Sequence, residues 1–200
     1  MRLYALIKNL EPLEAYFCNE GLVRFCTEDY CQPTDENYEK LYMHLTNYSL
    51  NKDNDNYINP IDYGEDNKGT KRLLSHFFKQ LIKDEAIDEN HVKNQLVTTV
   101  RKTIISLVPY LKAWSKKYIR PELDKIRCFQ LIGIDIMLDE DCKAWLFEIN
   151  ANPSMNMFLE KEGPNGQVEK TLSELDKYLK TTILQDVFHI VRSKDSTEYG

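Results

Sequence analysis

Glycine and proline are scarce in this sequence, and it has neither a basic excess nor a long apolar run. Seven glycines and seven prolines among 200 residues exclude a collagen-like or low-complexity chain. The formal net charge of -6 argues against a nucleic-acid-binding protein. The apolar runs are shorter than the roughly 18 residues that a membrane-spanning helix needs. We therefore expect no nucleic-acid partner and no membrane partner.

The five cysteines lack the paired C-x-x-C spacing that is typical of zinc sites and redox motifs. Cys18 and Cys26 lie inside apolar runs. Free thiols in a reducing compartment are therefore favoured over a zinc site or disulfides. No signal peptide is visible. Since 42% of the residues are apolar, the chain can bury a sizeable core, and we expect a soluble intracellular domain.

The hydrophobic pattern predicts an α+β fold, mainly antiparallel sheet flanked by helices. Asn19-Glu20-Gly21 predicts a hairpin turn between the second and third strands, with Gly21 available for positive φ. Pro109 is expected to end or kink the second helix. The chain begins in what reads as mid-strand, so we expect missing upstream sequence. The predicted strands are 2–8, 14–18, 22–26, 41–45, 129–139 and 143–150, the predicted helices are 72–83, 91–118 and 167–191, and residues 51–70 form a long polar loop.

Two isolated acids interrupt the last two predicted strands. Asp135 and Glu148 each stand among apolar neighbours, and burying a carboxylate is costly unless it is paired or bound to a metal. A two-residue loop at 141–142 pairs Glu140 with Lys143. Counting back from that pair, Asp135 falls directly opposite Glu148, and opposed residues of an antiparallel pair project to one face.

Asn150 lies two residues beyond Glu148 and therefore on the same face of the strand. Two carboxylates and an amide oxygen form an all-oxygen donor set that suits Mg²⁺. The set contains no thiolate or imidazole, which argues against zinc. A three-residue loop would instead put the two acids on opposite faces. The alternative to a metal site is that one acid pairs with a buried arginine or lysine while the other lies at a strand end.

A second polar cluster contains His44, Thr46 and Asn47. A strand at 41–45 would put His44 and Thr46 on one face, either as hydrogen-bonded structure or as ligands. Arg2 and Arg24 each lie in an apolar predicted strand. An arginine in such a place needs an anion, which is either a buried carboxylate or a phosphate.

These segments together resemble one enzyme family. Phe-Gln-Leu-Ile-Gly-Ile-Asp-Ile-Met-Leu, followed by Trp-Leu-Phe-Glu-Ile-Asn-Ala-Asn-Pro-Ser, resembles the C-terminal motif of the tubulin tyrosine ligase-like family. His-Leu-Thr-Asn-Tyr-Ser-Leu-Asn-Lys at 44–52 resembles another motif of that family. Further motifs are similar at 2–4 (Arg-Leu-Tyr), 20–28 (Glu-Gly-Leu-Val-Arg-Phe-Cys-Thr-Glu) and 69–75 (Gly-Thr-Lys-Arg-Leu-Leu-Ser). The motifs stand in the family's order, and the likeness runs from about residue 2 to residue 190.

The resemblance implies an ATP-grasp fold. Residues 1–191 would be the C-terminal portion of that domain, with the N-terminal portion missing, and 192–200 would be a polar tail. In the family, the residues matching Asp135, Glu148 and Asn150 hold Mg²⁺ and contact ATP. The residues matching Arg2 and Arg24 are catalytic, and those matching the cluster at 44–47 bind the nucleotide, which here means His44, Thr46 and Asn47.

The resemblance also implies an activity, which is ATP-dependent addition of an amino acid to tubulin through an acyl phosphate. Asn-Tyr-Ser-Leu-Asn-Lys followed by Gly-Thr-Lys-Arg is most similar to the polyglutamylase branch, so the partners would be free glutamate and the acidic tails of tubulin in microtubules. We expect a monomer of the cytoplasm and cytoskeleton, with the cilium and basal body as further candidate locations. The alternatives are a catalytically incomplete module that only binds tubulin, a ligase that adds glycine or tyrosine, and an ATP-grasp ligase with a small-molecule substrate.

Overall fold

The computed structural model describes residues 1–51, 54–58, 69–83, 87–119, 128–162 and 167–192. Its main sheet has six strands in the order β4-β3-β1-β5-β6, with β2 also paired to β1, and a separate hairpin joins β7 to β8. Every described strand pair is antiparallel. The elements along the chain are β1 (Arg2–Leu10), β2 (Leu13–Phe17), β3 (Leu22–Arg24), α1 (Leu41–His44), α2 (Tyr48–Asn51), β4 (Lys71–Leu73), α3 (Leu74–Lys83), α4 (Glu89–Tyr118), β5 (Gln130–Leu138), β6 (Ala144–Asn150), β7 (Phe158–Glu162), β8 (Val168–Leu172) and α5 (Glu174–Arg192).

The sheet has apolar residues on both faces, because side chains alternate along each strand. One face of β1 packs with β5, α3 and α4 around residues such as Leu3, Ile134 and Leu96. The opposite face packs against α5, where Tyr4 and Leu179 are both buried. Burying each large apolar side chain contributes about 1.5–3 kcal/mol. The predicted α+β fold with a mainly antiparallel sheet is therefore confirmed.

The predicted hairpin between the second and third strands is wrong. β2 pairs with the end of β1, whereas β3 pairs with β1 at Arg2, so the hairpin joins β1 to β2 and both strands share one edge. Gly21 does not adopt positive φ, but a Cβ there would lie 2.7 Å from the carbonyl oxygen of Arg2. Gly21 is needed because two backbones approach closely at this point.

The predicted strand at 41–45 is also wrong, because residues Leu41–His44 form the single helical turn α1. No described strand lies beside this segment, and none of the residues of α1 is buried, so its alternating pattern has no sheet to join. The helix predicted at 72–83 begins later, at Leu74, because Lys71–Leu73 pairs with β3 as the edge strand β4. Part of the predicted loop 51–70, namely 52–53 and 59–68, lies outside the described residues.

The helix predicted at 91–118 is confirmed as α4, but Pro109 does not end it. A proline has no N–H to donate, so the carbonyl group four residues earlier in the helix loses its hydrogen bond. Here that carbonyl belongs to Ile105, which lies on an exposed turn that water reaches. The closing helix predicted at 167–191 is wrong in its first part. Val168–Leu172 forms β8, which pairs with the unpredicted strand β7, and α5 starts after Ser173. Of the predicted tail 192–200, Arg192 ends α5 and 193–200 lie outside the described residues.

None of the described helices is long and apolar enough to cross a membrane.

Candidate functional site

The hairpin of β5 and β6 places Asp135 directly opposite Glu148, as predicted, but by a different route. The loop is longer than the predicted one, because Asp139 rather than Glu140 pairs with Lys143. Such a loop alone would put the two acids on opposite faces. The ladder then shifts by one residue between Asp135 and the next residue of β5, where Phe147 is the extra residue of a β-bulge. The longer loop and the bulge offset each other, so the predicted pairing of the two acids is confirmed.

The loop itself is closed by local hydrogen bonds. Cys142 has a φ of 59°, in the left-handed region, and its N–H donates to the carbonyl oxygen of Asp139 at 3.0 Å. The carboxylate of Asp139 also accepts from the backbone N–H of Lys143 at 2.9 Å and from the indole N–H of Trp145 at 2.7 Å. These contacts fix the start of β6 and therefore the register that leads to Glu148.

Asn150 completes the predicted oxygen set on the same face. It lies opposite Gly133, two positions along the ladder from Asp135, and its Nδ2 donates to Oε1 of Glu148 at 2.8 Å. This leaves the amide oxygen of Asn150 and further lone pairs of the exposed Glu148 free to accept. Carboxylate and amide oxygens on one face of the sheet match the preferences of Mg²⁺, which binds through one or two carboxylates plus waters and phosphates.

Arg2 occupies the neighbouring position on β1 and pairs with Asp135 in the ladder. Its Nε donates to Oδ1 of Asp135, and its terminal nitrogen donates to Oδ2 at 2.7 Å, which makes a bidentate ion pair. The two side chains are only 13% and 24% exposed. The hydrogen bonds from the guanidinium to Asp135 raise the pKa of Arg2 further above its ordinary value.

The ion-pair alternative therefore describes Asp135 in this structure. A bidentate arginine uses only part of the acceptor capacity of a carboxylate, which has about four lone-pair sites. Metal binding by Asp135, Glu148 and Asn150 stays a prediction. No group of three or more His, Cys, Asp or Glu side chains lies together within the described ranges, and this set has two carboxylates only.

Arg24 and Lys71 extend the site to the other edge of the sheet. They are partners in the ladder of β3 and β4, and two positions along it Leu22 pairs with Arg2. Side chains two residues apart on a strand share a face, so Arg2, Arg24 and Lys71 lie on the face that carries the acids. The face is cationic on β1, β3 and β4 and anionic on β5 and β6. Sequence reasoning did not place Lys71 in the site, although it lies in the Gly-Thr-Lys-Arg segment.

Contrary to the prediction, His44 and Thr46 do not lie on one face of a strand, because Leu41–His44 is helical. His44 lies 3.0 Å from the carbonyl oxygen of Asn37 through Nε2 and makes an edge contact with Tyr30. Thr46 lines a small pocket together with Arg24. Asn47 immediately precedes α2, and its carbonyl oxygen accepts from the backbone N–H groups of Leu50 and Asn51. The structure thus brings Thr46, but not His44, to Arg24.

Asn51 holds this segment in place and is a second residue that sequence reasoning missed. It is only 1% exposed. Its Nδ2 donates to the carbonyl oxygens of Leu45 at 2.7 Å and Asn47 at 3.0 Å, and its Oδ1 accepts from the hydroxyl of Thr27 at 3.1 Å. The sequence signal was its place in the motif Asn-Tyr-Ser-Leu-Asn-Lys.

We expect Asn51→Ala to destabilise the chain by about 1–3 kcal/mol, because buried hydrogen-bonding groups lose their partners. The loss should appear in urea unfolding monitored by circular dichroism. Asn56→Ala, at an exposed position of the following turn, is the matched control. Equal stability of the two variants would contradict the tethering role of Asn51.

Similarity to known proteins identifies the family of this chain. Residues 1–197 match the model of the tubulin-tyrosine ligase family. The chain belongs to this family. Tubulin-tyrosine ligase relatives include tubulin polyglutamylase TTLL11 of Homo sapiens, 38% identical over 96% of the chain and 26% of that protein. The resemblance inferred from the five motifs is confirmed.

Other members of the tubulin-tyrosine ligase family show the same similarity. The chain is 33% identical to tubulin polyglutamylase ttll6 of Danio rerio over 96% of its length and 22% of the relative. It is 35% identical to the probable beta-tubulin polyglutamylase of Tetrahymena thermophila over 92% of its length and 14% of the relative. The chain thus spans about a quarter or less of these curated relatives, which carry the polyglutamylase name.

Proposed function

We propose that this chain is the C-terminal part of an ATP-grasp ligase that adds glutamate to glutamate side chains of tubulin tails. The observation that carries the proposal is the row of charged side chains across one face of the sheet. Arg2 lies beside Asp135, Arg24 lies on the same face of the next strand, β3, and Asp135 and Glu148 face each other in register. The names of the relatives support tubulin as the protein substrate and glutamate as the amino acid.

The reaction begins with a carboxylate of the tubulin tail, which attacks the γ-phosphorus of ATP. The bond from that phosphorus to ADP breaks, and an acyl phosphate forms. The amino nitrogen of free glutamate then attacks the acyl carbon, phosphate leaves, and the nitrogen loses its proton to give the amide. The attacking and leaving groups belong to the substrates, so the chain's task is orientation and charge stabilisation.

The cationic residues and the metal-binding residues of the site would have different roles in this task. Arg2 and Arg24 would hold the anionic oxygens of the phosphoryl and acyl groups. Glu148 and Asn150, together with Asp135, would hold Mg²⁺, which when bound offsets negative charge on the ATP phosphates. Asn47 and Thr46 would contact the nucleotide from the segment that Asn51 fixes. His44 would need to leave the carbonyl of Asn37 to reach it.

The test is incorporation of radiolabelled glutamate into tubulin in the presence of Mg²⁺ and ATP. The 200-residue chain is assayed beside the product of the full coding sequence, with glycine and tyrosine as competing amino acids. We expect glutamate incorporation by the full product. Incorporation of glycine or tyrosine instead would change the amino-acid assignment.

Absence of all three incorporations, with retained binding to microtubules in a sedimentation assay, would favour a tubulin-binding module. The proposed partners are tubulin and free glutamate, and the proposed location is the cytoplasmic cytoskeleton, with the cilium or basal body as sites to examine by immunofluorescence.

A further inference from the structure

The segment 151–157 lies on the charged face of the sheet, between the end of β6 and the start of β7. It follows Asn150 directly. Pro153 lies against Gly133, where a Cβ would be 3.0 Å from Cβ of Pro153 and 3.0 Å from Cδ of Arg2. Pro153 and Arg2 therefore occupy the space on either side of one position of β5, and the segment adjoins the candidate site at two places.

This segment belongs to no helix or strand, so its position depends on single contacts rather than on a hydrogen-bonded ladder. At its start, Nε2 of Gln130 donates to the carbonyl oxygen of Ala151. In its middle, Met155 packs against the apolar cluster between the sheet and α5. At its end, the backbone N–H of Ser173 donates to the carbonyl oxygen of Met157 at 2.8 Å. Groups of β5 and of the chain around the start of α5 thus hold the segment.

Lys180 of α5 adds a charged donor to these contacts. Its Nζ donates to the carbonyl oxygen of Asn156 and lies 2.8 Å from Oδ1 of Asp176. Lys180 is 6% exposed and Asp176 is 3% exposed. A hydrogen bond from an ionised donor is stronger than one between neutral groups, and a surrounding of low polarity strengthens it further. We therefore expect Lys180 to restrain the carbonyl of Asn156 more strongly than a neutral donor would.

The ion pair with Asp176 does not by itself account for a lysine at this position. Oδ2 of Asp176 already has two partners, which are Nζ of Lys71 at 2.5 Å and the hydroxyl of Ser173 at 2.7 Å. Two ammonium groups thus share one carboxylate. Replacing buried ionic groups by apolar side chains of similar volume is often neutral or stabilising, so stability alone does not call for Lys180. What its ammonium provides in addition is the hydrogen bond to Asn156.

We propose that Lys180 is a positioning residue of the ligase site, which acts on Arg2 through the segment 151–157. By holding the carbonyl oxygen of Asn156, Lys180 keeps Pro153 against Arg2. Arg2 in turn stays in its bidentate contact with Asp135. The proposal rests on the proposed function, which gives Arg2 its role in the reaction. A displacement of about 1 Å in a site can lower a rate about a hundredfold, so a support outside the site can affect turnover.

The first experiment compares Lys180→Met with the parent 200-residue chain by nuclear magnetic resonance. Methionine keeps the length and the apolar body of the side chain, and Asp176 keeps its two partners on Oδ2, so we expect the variant to fold. The signal to follow is the Nε–H of Arg2, which donates to Asp135. We expect its exchange with water to become about tenfold faster, as for the loss of one charge-assisted hydrogen bond. The backbone N–H groups of β1 and β5 should exchange at the parent rates.

The second experiment measures glutamate incorporation by the full coding product at saturating substrates. We expect Lys180→Met to lower kcat about tenfold or more. Lys180→Arg should recover part of the loss, because arginine again places a charged donor at the end of a long side chain. Lys177→Met makes the same substitution at a lysine of α5 that is 51% exposed. This matched control should behave as the parent does in both experiments.

Two results would overturn the inference. One is exchange of the Arg2 Nε–H at the parent rate in Lys180→Met, and the other is equal acceleration of this group and of the backbone N–H groups of β1 and β5, which would make Lys180 merely structural. If Lys180→Met fails to fold, Pro153→Gly decides, because it removes the Cβ beside Arg2 and leaves Lys180 in place. Parent-rate exchange of Arg2 in Pro153→Gly would also overturn the inference. Faster exchange in Lys180→Met, without incorporation by the parent full product, would refute the proposed ligase activity and leave the positioning of Arg2 standing.

Discussion

Glu148→Gln is expected to lower glutamate incorporation into tubulin by about 10²–10³-fold, while the fold stays intact. The amide keeps the size of the side chain and can still accept the hydrogen bond from Asn150. It removes the negative charge from the exposed end of the acidic pair, and a neutral amide is a weak ligand for Mg²⁺. The measurement is the initial rate of incorporation by the full coding product, at saturating ATP and several concentrations of Mg²⁺.

The matched control is Glu140→Gln, which removes the same charge from the exposed loop of the same hairpin. We expect this variant to keep the parent rate, and both variants to keep the parent circular dichroism spectrum and thermal midpoint. Unchanged turnover in Glu148→Gln would refute the metal assignment. Loss of structure in that variant would show instead that Glu148 has a structural role.

The acidic pair was predictable from the sequence because each acid stands alone among apolar residues and because strands alternate, although Glu148 is exposed, so that a cost of burial applies only to Asp135. The premise about the loop was wrong, however, and the prediction succeeded through an unforeseen bulge at Phe147. Phe147 lies in the run Trp-Leu-Phe, where nothing distinguishes an inserted residue from a regular strand. The local pattern therefore predicted correctly that Asp135 and Glu148 are partners. It did not predict the longer loop and the bulge that bring them opposite each other.

The wrong secondary-structure predictions at 41–45 and at Val168–Leu172 have one cause. A local sequence pattern does not show whether another strand lies alongside to pair with the segment. The alternation at 41–45 is that of a strand, but no described strand lies beside it and it forms a helical turn. Val168–Leu172 continues the apolar spacing of α5, yet it pairs with β7. Ser173 marks the boundary between β8 and α5, because its hydroxyl accepts from the N–H of Asp176 and caps the helix.

Lys71 and Asp176 could not have been paired from the sequence, because they are 105 residues apart. In the linear chain Lys71 lies beside a polar loop and Asp176 begins an amphipathic helix, so each reads as a solvated charge. Only the packing of α5 on the sheet buries both and makes their charges interact. By contrast, the pairing of Arg2 with an anion followed from its place in an apolar strand, and the anion is Asp135.

Gly133→Val is expected to cost about 1–3 kcal/mol of stability and, in addition, to reduce incorporation about a hundredfold. A Cβ at this position would lie 3.0 Å from Cδ of Arg2 and 3.0 Å from Cβ of Pro153, which leaves no room for two further methyl groups. The proline ring is rigid, so the side chain of Arg2 has to move. Arg2 cannot move without giving up its bidentate contact with Asp135.

The two effects of Gly133→Val are separated by measuring urea unfolding and incorporation on the same preparations. Met137→Val is the control, since it puts a valine on the same strand at an exposed position, and it should leave both quantities near the parent values. Gly133→Ala should fall between the parent and the valine variant. If Gly133→Val turned over tubulin at the parent rate, the geometry of the Arg2–Asp135 pair would not matter to the reaction. A kcat that falls while the thermal midpoint stays close to that of Gly133→Ala would assign the loss to the site residues that adjoin Gly133, namely Arg2 and Asn150, and not to a loss of stability.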